Sequence, residues 1–194
     1  MAAVTSGYPA VFEVDPPAPQ SRLTVFFRLL LLIPHVIVIY FLMLLTEILT
    51  FLAWFAILFT GRYPAGFVGL TGGTLRWISR VYGYQYLLTG KYPPFSMDAV
   101  ADYPIRPSVT VALEGRNRLT VFFRPLMLIP HVVVLYVIGI AASVALLISW
   151  LVALITGSVP AGLHGFLAGV QRWAFRVFAY ALLLTDEYPP FSLS

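Results

Sequence analysis

The chain has 194 residues, of which 60% are hydrophobic and only 10% charged, with a formal net charge of +4. Soluble domains are about 25% charged, so this composition, with a mean hydropathy of +0.88, excludes an ordinary soluble domain and predicts an integral membrane protein. No cysteine is present, which excludes disulfides, thiolate metal sites and thiol catalysis.

Residues 1–20 hold neither a basic n-region nor an apolar h-region, so the first hydrophobic segment is expected to be the anchor itself. The alternation at Ala10–Val14 predicts a short strand. A helix is expected over 22–59, kinked near Pro34. Its 36-odd residues would reach roughly 54 Å at 1.5 Å per residue, against a hydrocarbon core of about 30 Å. One solution is an interfacial part, 22–33, bent into a spanning part, 36–59; a re-entrant hairpin is the alternative. A Gly61 stop and a Pro64 start introduce a second helix, 64–88. A linker, 97–117, carries an alternating stretch at 108–113 that reads as a second strand, able to pair with the first as a ribbon.

From Arg118 the pattern returns. Residues 22–96 and 118–192 align without a gap at an offset of 96, with 37 of 75 positions identical. Internal repetition of this kind marks duplicated architecture. The second copy is expected to contain helices 118–155 and 160–184. The fold class expected is all-α: two tandem parallel repeats of a two-helix hairpin, about four membrane-embedded helices, with a short cytoplasmic strand before each. If the second helix of each copy lies flat, each copy crosses once and the two are inverted. Arg22, Arg28, Lys91, Arg106, Arg116, Arg118 and Arg124 flank the outer ends of the copies, whereas the inner turns hold only Arg62. The positive-inside rule then places both termini and the linker in the cytoplasm.

The duplication also selects candidate residues. Arg28 and His35, like Arg124 and His131, are seven apart and share a helix face. On the second helix, Gly69, Gly73, Arg76 and Arg80, repeated as Gly165, Gly169, Arg172 and Arg176, form one stripe. The glycines are read as helix-packing positions. The arginines with the histidines are read as a pair of pockets for anionic headgroups, because a guanidinium donates two parallel hydrogen bonds to phosphate. The plainer alternative is anchoring plus hydrogen bonds to carbonyls freed at the prolines. Glu47, mid-span and unrepeated, lies 14 residues before Gly61 and Arg76 lies 15 after it, so in a hairpin the two are expected to pair. The Tyr-Pro-Pro-Phe-Ser segments at 92–96 and 188–192 must be extended and suit an interfacial aromatic belt. His164 has no counterpart and receives no role.

These blocks resemble a bacterial membrane family catalogued as domain of unknown function 4389, present twice. The residues that carry the resemblance are the Leu-Thr-Val-Phe-Phe-Arg, Ile-Pro-His, Arg-Trp-x-x-Arg and Tyr-Pro-Pro-Phe-Ser blocks, with Trp54 and Phe59–Pro64. The resemblance implies a multi-pass protein of the bacterial inner membrane and no activity. Copy two departs from it at Ser143, Ser158 and Val159. Three functions remain: a non-enzymatic lipid-headgroup-binding or accessory scaffold subunit, a small transporter or channel, and an intramembrane lipid-modifying enzyme with His35 or His131 as base. The first is favoured, since no duplicated carboxylate or nucleophile completes a catalytic set and no acid chain lines a pathway. Expected partners are membrane lipids, anionic ones among them, and a membrane protein or a second copy of the chain. Nucleic acid, cofactor and metal are not expected.

Overall fold

The computed structural model describes residues 7–194. In chain order the elements are β1 (Ala10–Val14), α1 (Arg22–Phe26), α2 (Arg28–Thr60), α3 (Val68–Gln85, entered through a 3-10 turn at Ala65–Phe67), β2 (Ile105–Val109), α4 (Arg118–Thr156) and α5 (Ala161–Ala181). The long helices α2 and α4 stop at Gly61 and Gly157, which adopt φ of 72° and 78°. That left-handed conformation is open to glycine without a Cβ penalty. α4 starts on the Asn117 side chain, which accepts from the Leu119 and Thr120 amides. Ser21, the equivalent residue in copy one, makes no such cap, and the helix is interrupted at Phe27. Helical pairing runs through Pro34, and in α4 through Pro125 and Pro130. Tyr92 and Tyr188 donate to the carbonyls of Leu31 and Met127, adding a donor to the turns that proline deprives of one.

The two strands pair antiparallel, from Ala10 opposite Val109 to Val14 opposite Ile105. β2 thus lies at 105–109 rather than at the expected 108–113, and it contains Pro107. In a two-stranded ribbon both strands are edges, so a missing N–H is tolerated. Ala10, Phe12, Ile105 and Pro107 form the buried face. The outer face carries Arg106, which reaches Glu13 at 3.4 Å and Asp15 at 2.7 Å. β1, which precedes copy one, packs on α5 of copy two, and β2 packs on α3 of copy one. Phe12 meets Phe175 at 5.8 Å between ring centroids, and a Cβ on Gly83 would collide with Ile105.

The contacts give three layers: the ribbon, then α3 with α5, then α1–α2 with α4. Direction is set by four cross-copy bonds. Trp54 donates to the Val121 carbonyl at 2.9 Å and Trp150 to the Val25 carbonyl at 3.1 Å. The Gln20 amide donates to Gly157 and the Arg116 amide to Gly61. Each copy therefore begins beside the inner turn of the other, and α2 and α4 run antiparallel. This corrects the expectation of parallel hairpins: periodicity fixes which face of a helix is buried but says nothing of its direction. A pseudo-twofold axis passes through the ribbon, the α3–α5 contact and the α2–α4 contact.

Two helices, α2 and α4, are long and apolar enough to cross a membrane, with mean window hydropathies of 2.6 and 2.7. α3 and α5 do not meet that standard and are largely buried. The expected set of four membrane helices is thus reduced to two that qualify by length and composition.

Candidate functional site

The duplicated polar residues assemble into two equivalent clamps. Helix α3 ends in a Schellman-type turn, with Leu88 N–H on Gly83 and Leu87 N–H on Tyr84. Leu87 adopts φ of 60°, and Leu183 repeats this at 61°. A left-handed leucine costs about 1–2 kcal/mol, and the turn leaves carbonyls facing inward. Arg28 takes them up. Its guanidinium donates to the carbonyls of Tyr84 and Thr89 and to Gln20 Oε1, and stacks 4.1 Å above the Tyr84 ring. Arg124 does the same in copy two, donating to Tyr180 at 2.9 Å and Thr185 at 3.0 Å, again 4.1 Å above a tyrosine ring.

About two turns further along the same face, His35 accepts from Trp77 Nε1 at 3.0 Å through Nδ1, which assigns its proton to Nε2. Its ring stacks on Phe95 at 3.8 Å and lies 5.0 Å from Tyr92. His131 repeats the set with Trp173, Phe191 and Tyr188. The histidines are the hubs that bind each Tyr-Pro-Pro-Phe-Ser segment to its helix pair. Arg76 and Arg80 fasten the far end of that segment, donating to the carbonyls of Met97, Ser96 and Asp98. Arg172 and Arg176 donate to Leu193 and Ser192, and Arg172 also to Phe12 of β1. The structure therefore brings Arg28 with His35 and Arg76 with Arg80 as the spacing indicates, but turns their donors toward backbone carbonyls. Arg76 and Arg172 keep partial exposure; Arg28, Arg80, Arg124 and Arg176 are buried.

Two expectations fail. Arg76 donates to Met97, and Glu47 makes no ion pair among the described residues. The bonded pairs Arg28–Tyr84 and His35–Trp77 set the register of α2 against α3 and place Arg76 level with Val36. Glu47 lies eleven residues further on, about 16 Å along the helix. The connection at 61–67 is no tight turn, so counting from Gly61 gives a false depth. The glycines also divide. Gly69 and Gly165 are exposed and have nothing within 4 Å of a built Cβ, so no close approach there requires glycine. Gly73 and Gly169 are needed for close approach, but of the chain after each Tyr-Pro-Pro-Phe-Ser segment: a Cβ would stand 2.7 Å from Met97 and 2.8 Å from the Leu193 carbonyl.

Residues outside the identical set complete the clamps. Gln20 Nε2 donates to the Leu87 carbonyl at 2.8 Å. At its equivalent, Arg116 donates to the Leu183 carbonyl at 2.8 Å and to Asp186. Asp186, equivalent to Gly90, bridges Arg116 at 2.5 Å and Arg124 at 2.7 Å and accepts from the Asn117 amide. Burial raises the pKa of Asp186, but the two arginines and the amide outweigh it and hold the carboxyl below its usual range. The signal in the sequence was a paired difference, Gln with Gly against Arg with Asp, which a filter for identity discards. His164 ties α5 to the Leu88 carbonyl at 3.1 Å.

One family model matches the chain twice, over residues 22–97 and 118–192, under the description Domain of unknown function (DUF4389). The chain belongs to that family. The two matched segments are the two clamp-bearing copies, so the DUF4389 unit is one clamp with its pair of helices, present here in tandem. No curated protein matches the chain, and no solved structure does. Among the described residues there is no group of three histidine, aspartate or glutamate side chains placed to hold a metal.

Proposed function

We propose that this DUF4389 protein is a non-enzymatic membrane module that seats its α2–α4 layer in lipid and serves as an accessory scaffold on the aqueous side. One observation carries the reading. Of 40 exposed large hydrophobic side chains among the described residues, 33 belong to α1, its Phe27 junction, α2 and α4. Water would be a poor solvent for such a face, since soluble monomers rarely expose contiguous apolar patches beyond a few hundred Å². The opposite layer, the ribbon, exposes Glu13 and Ser108, with Arg106 and the adjoining Asp15 half-buried.

Two seats are distinguished by where the pseudo-twofold axis would lie. If α2 and α4 crossed the bilayer in opposite directions, the axis would lie in the membrane plane and the charged ribbon would sit at mid-depth. If the two helices lie in one leaflet, the axis is the membrane normal and the ribbon stands in water. The second seat also suits helix length: α2 has 33 residues, about 50 Å, which exceeds a core of about 30 Å. The duplicated arginines support this function by building the scaffold, since their donors go to backbone carbonyls.

The function is tested by native mass spectrometry after gentle extraction from the host membrane. Retained lipid or a stoichiometric protein partner is expected; a bare, lipid-free monomer overturns the reading. The seat is tested with single cysteines at Arg62 and Ser158, both exposed, in a chain with none of its own. A membrane-impermeant maleimide is expected to label both from the same side. Labelling from opposite sides establishes inverted spans instead.

A further inference from the structure

Between α2, α4 and the last turn of α5 lies a cavity of about 520 Å³, lined by Glu47, Thr50 and Phe51 on α2, Arg124 on α4, and Leu182 beneath. That volume falls within the roughly 300–1,000 Å³ of small-molecule sites. Phe51 is exposed on the apolar layer, as is Glu47, so the cavity opens where the lipid-seated face lies. Its lining is almost wholly apolar, yet two of the lining residues each carry a buried donor without a partner, Arg124 Nε and Thr50 Oγ1. Arg124 is 2% exposed. Buried donors without an acceptor are uncommon in native structures and call for an explanation.

We infer that this cavity holds an acyl chain, with the chain's carbonyl oxygen accepting from Arg124 Nε and Thr50 Oγ1. The inference rests on the lipid-facing reading of α2 and α4 given above. An uncharged acceptor fits better than a phosphate or carboxylate. The Arg124 charge is already met by Asp186 at 2.7 Å, and Glu47 at the mouth would repel an anion in a low-dielectric setting. An ester carbonyl or a protonated acid meets these demands, so the source is either an intact phospholipid or a free fatty acid.

The equivalent cavity in the other half explains why the site belongs to one half. It is smaller, about 350 Å³, and is lined by Arg28, Ser143 and Leu146 at the matching positions. Leu146 replaces the free hydroxyl of Thr50, and Ser143 Oγ donates to the Gly139 carbonyl. Only Arg28 Nε remains unpartnered there.

The test is photo-crosslinking of the full-length protein in phosphatidylcholine nanodiscs. One sample carries a diazirine on the phospholipid acyl chain and a parallel sample a diazirine-bearing free fatty acid, with adducts mapped by peptide mass spectrometry. At least one probe is expected to label 47–54 and 181–183 above the outer-face residues Leu30 and Val133. The probe that does so identifies the source. Thr50→Phe, which fills the cavity, should cut that labelling at least ten-fold. Thr50→Val keeps the volume and removes the donor, so it should weaken labelling about five-fold, as loss of one hydrogen bond of about 1 kcal/mol implies. Leu146→Phe in the twin cavity should leave it unchanged. Cavity labelling no stronger than at Leu30 and Val133, and insensitive to both Thr50 variants, overturns the site while leaving the lipid-seated layer intact. No adducts anywhere on α2 and α4 overturn both.

Discussion

At the end of α3 the buried Arg28 meets a neutral amide, Gln20, with Gly90 leaving room beside it; at the end of α5 the equivalent Arg124 meets a carboxylate, Asp186, shared with a second arginine, Arg116. The backbone targets of the two clamps are the same. What differs is how the non-backbone donors are satisfied. Copy one sets a single neutral amide beside its arginine, and copy two a triad of two buried arginines around a half-buried aspartate. A triad of this kind is weak support for stability as such, because desolvation offsets much of the attraction. Its demand is for completeness: each member makes the others tolerable. The comparison teaches that the duplicated scaffold fixes where charge must go and leaves open how it is neutralised.

The sharpest way to break the comparison is to install half of one clamp in the other. Gln20→Arg alone buries an unpaired guanidinium and should cost about 3–5 kcal/mol, read as a lowered thermal midpoint in detergent. Adding Gly90→Asp should recover much of that loss, with a coupling of about 0.5–3 kcal/mol in the double-mutant cycle. Additive losses would show that the two clamps are not interchangeable. A smaller effect is expected of Asp186→Asn, about 1–3 kcal/mol at neutral pH. Its pH dependence has a definite sign. A carboxyl held below its usual range in the fold adds stability that is complete above the unfolded carboxylate pKa and is lost as pH falls through the depressed value. Wild type should therefore lose stability on acidification more steeply than Asp186→Asn. Parallel acid profiles would remove Asp186 from the account.

Much of the architecture was legible in the residues. The offset of 96, the two long apolar helices and a ribbon between the copies all follow from repetition and alternation. The pairing of Arg28 with His35 along one face followed from their spacing. The partners of the arginines did not, because Arg28, Arg76 and Arg80 donate to the carbonyls of residues 84, 89 and 96–98, and a carbonyl leaves no mark on the identity of its residue. Leu87 hides a left-handed turn for the same reason: glycine is the usual signal there, and leucine gives none. Glu47 and Arg76 stand almost equally far from Gly61 in the chain, but equal spacing gives equal depth only across a tight turn, and the connection at 61–67 is not one. Gln20 and Gly90 carry no such mark, because they vary together with Arg116 and Asp186 and identity between the copies does not reach them.

The exchange of strands reaches into how the protein is made. β1 precedes copy one, yet its resting place is α5, the helix that closes copy two, with Arg172 donating to Phe12 across 160 positions of chain. Nothing in the first half can shelter the inner face of β1 on its own; that strand must wait through the synthesis of about 150 residues, which at roughly 5–20 residues per second is some tens of seconds or less. The closing event of folding is thus the arrival of the final helix beneath the earliest strand. A chain carrying a single copy in this architecture would never reach that event alone. It would have to borrow the missing helix from a sister chain, and the tandem protein is the arrangement in which that loan has become permanent.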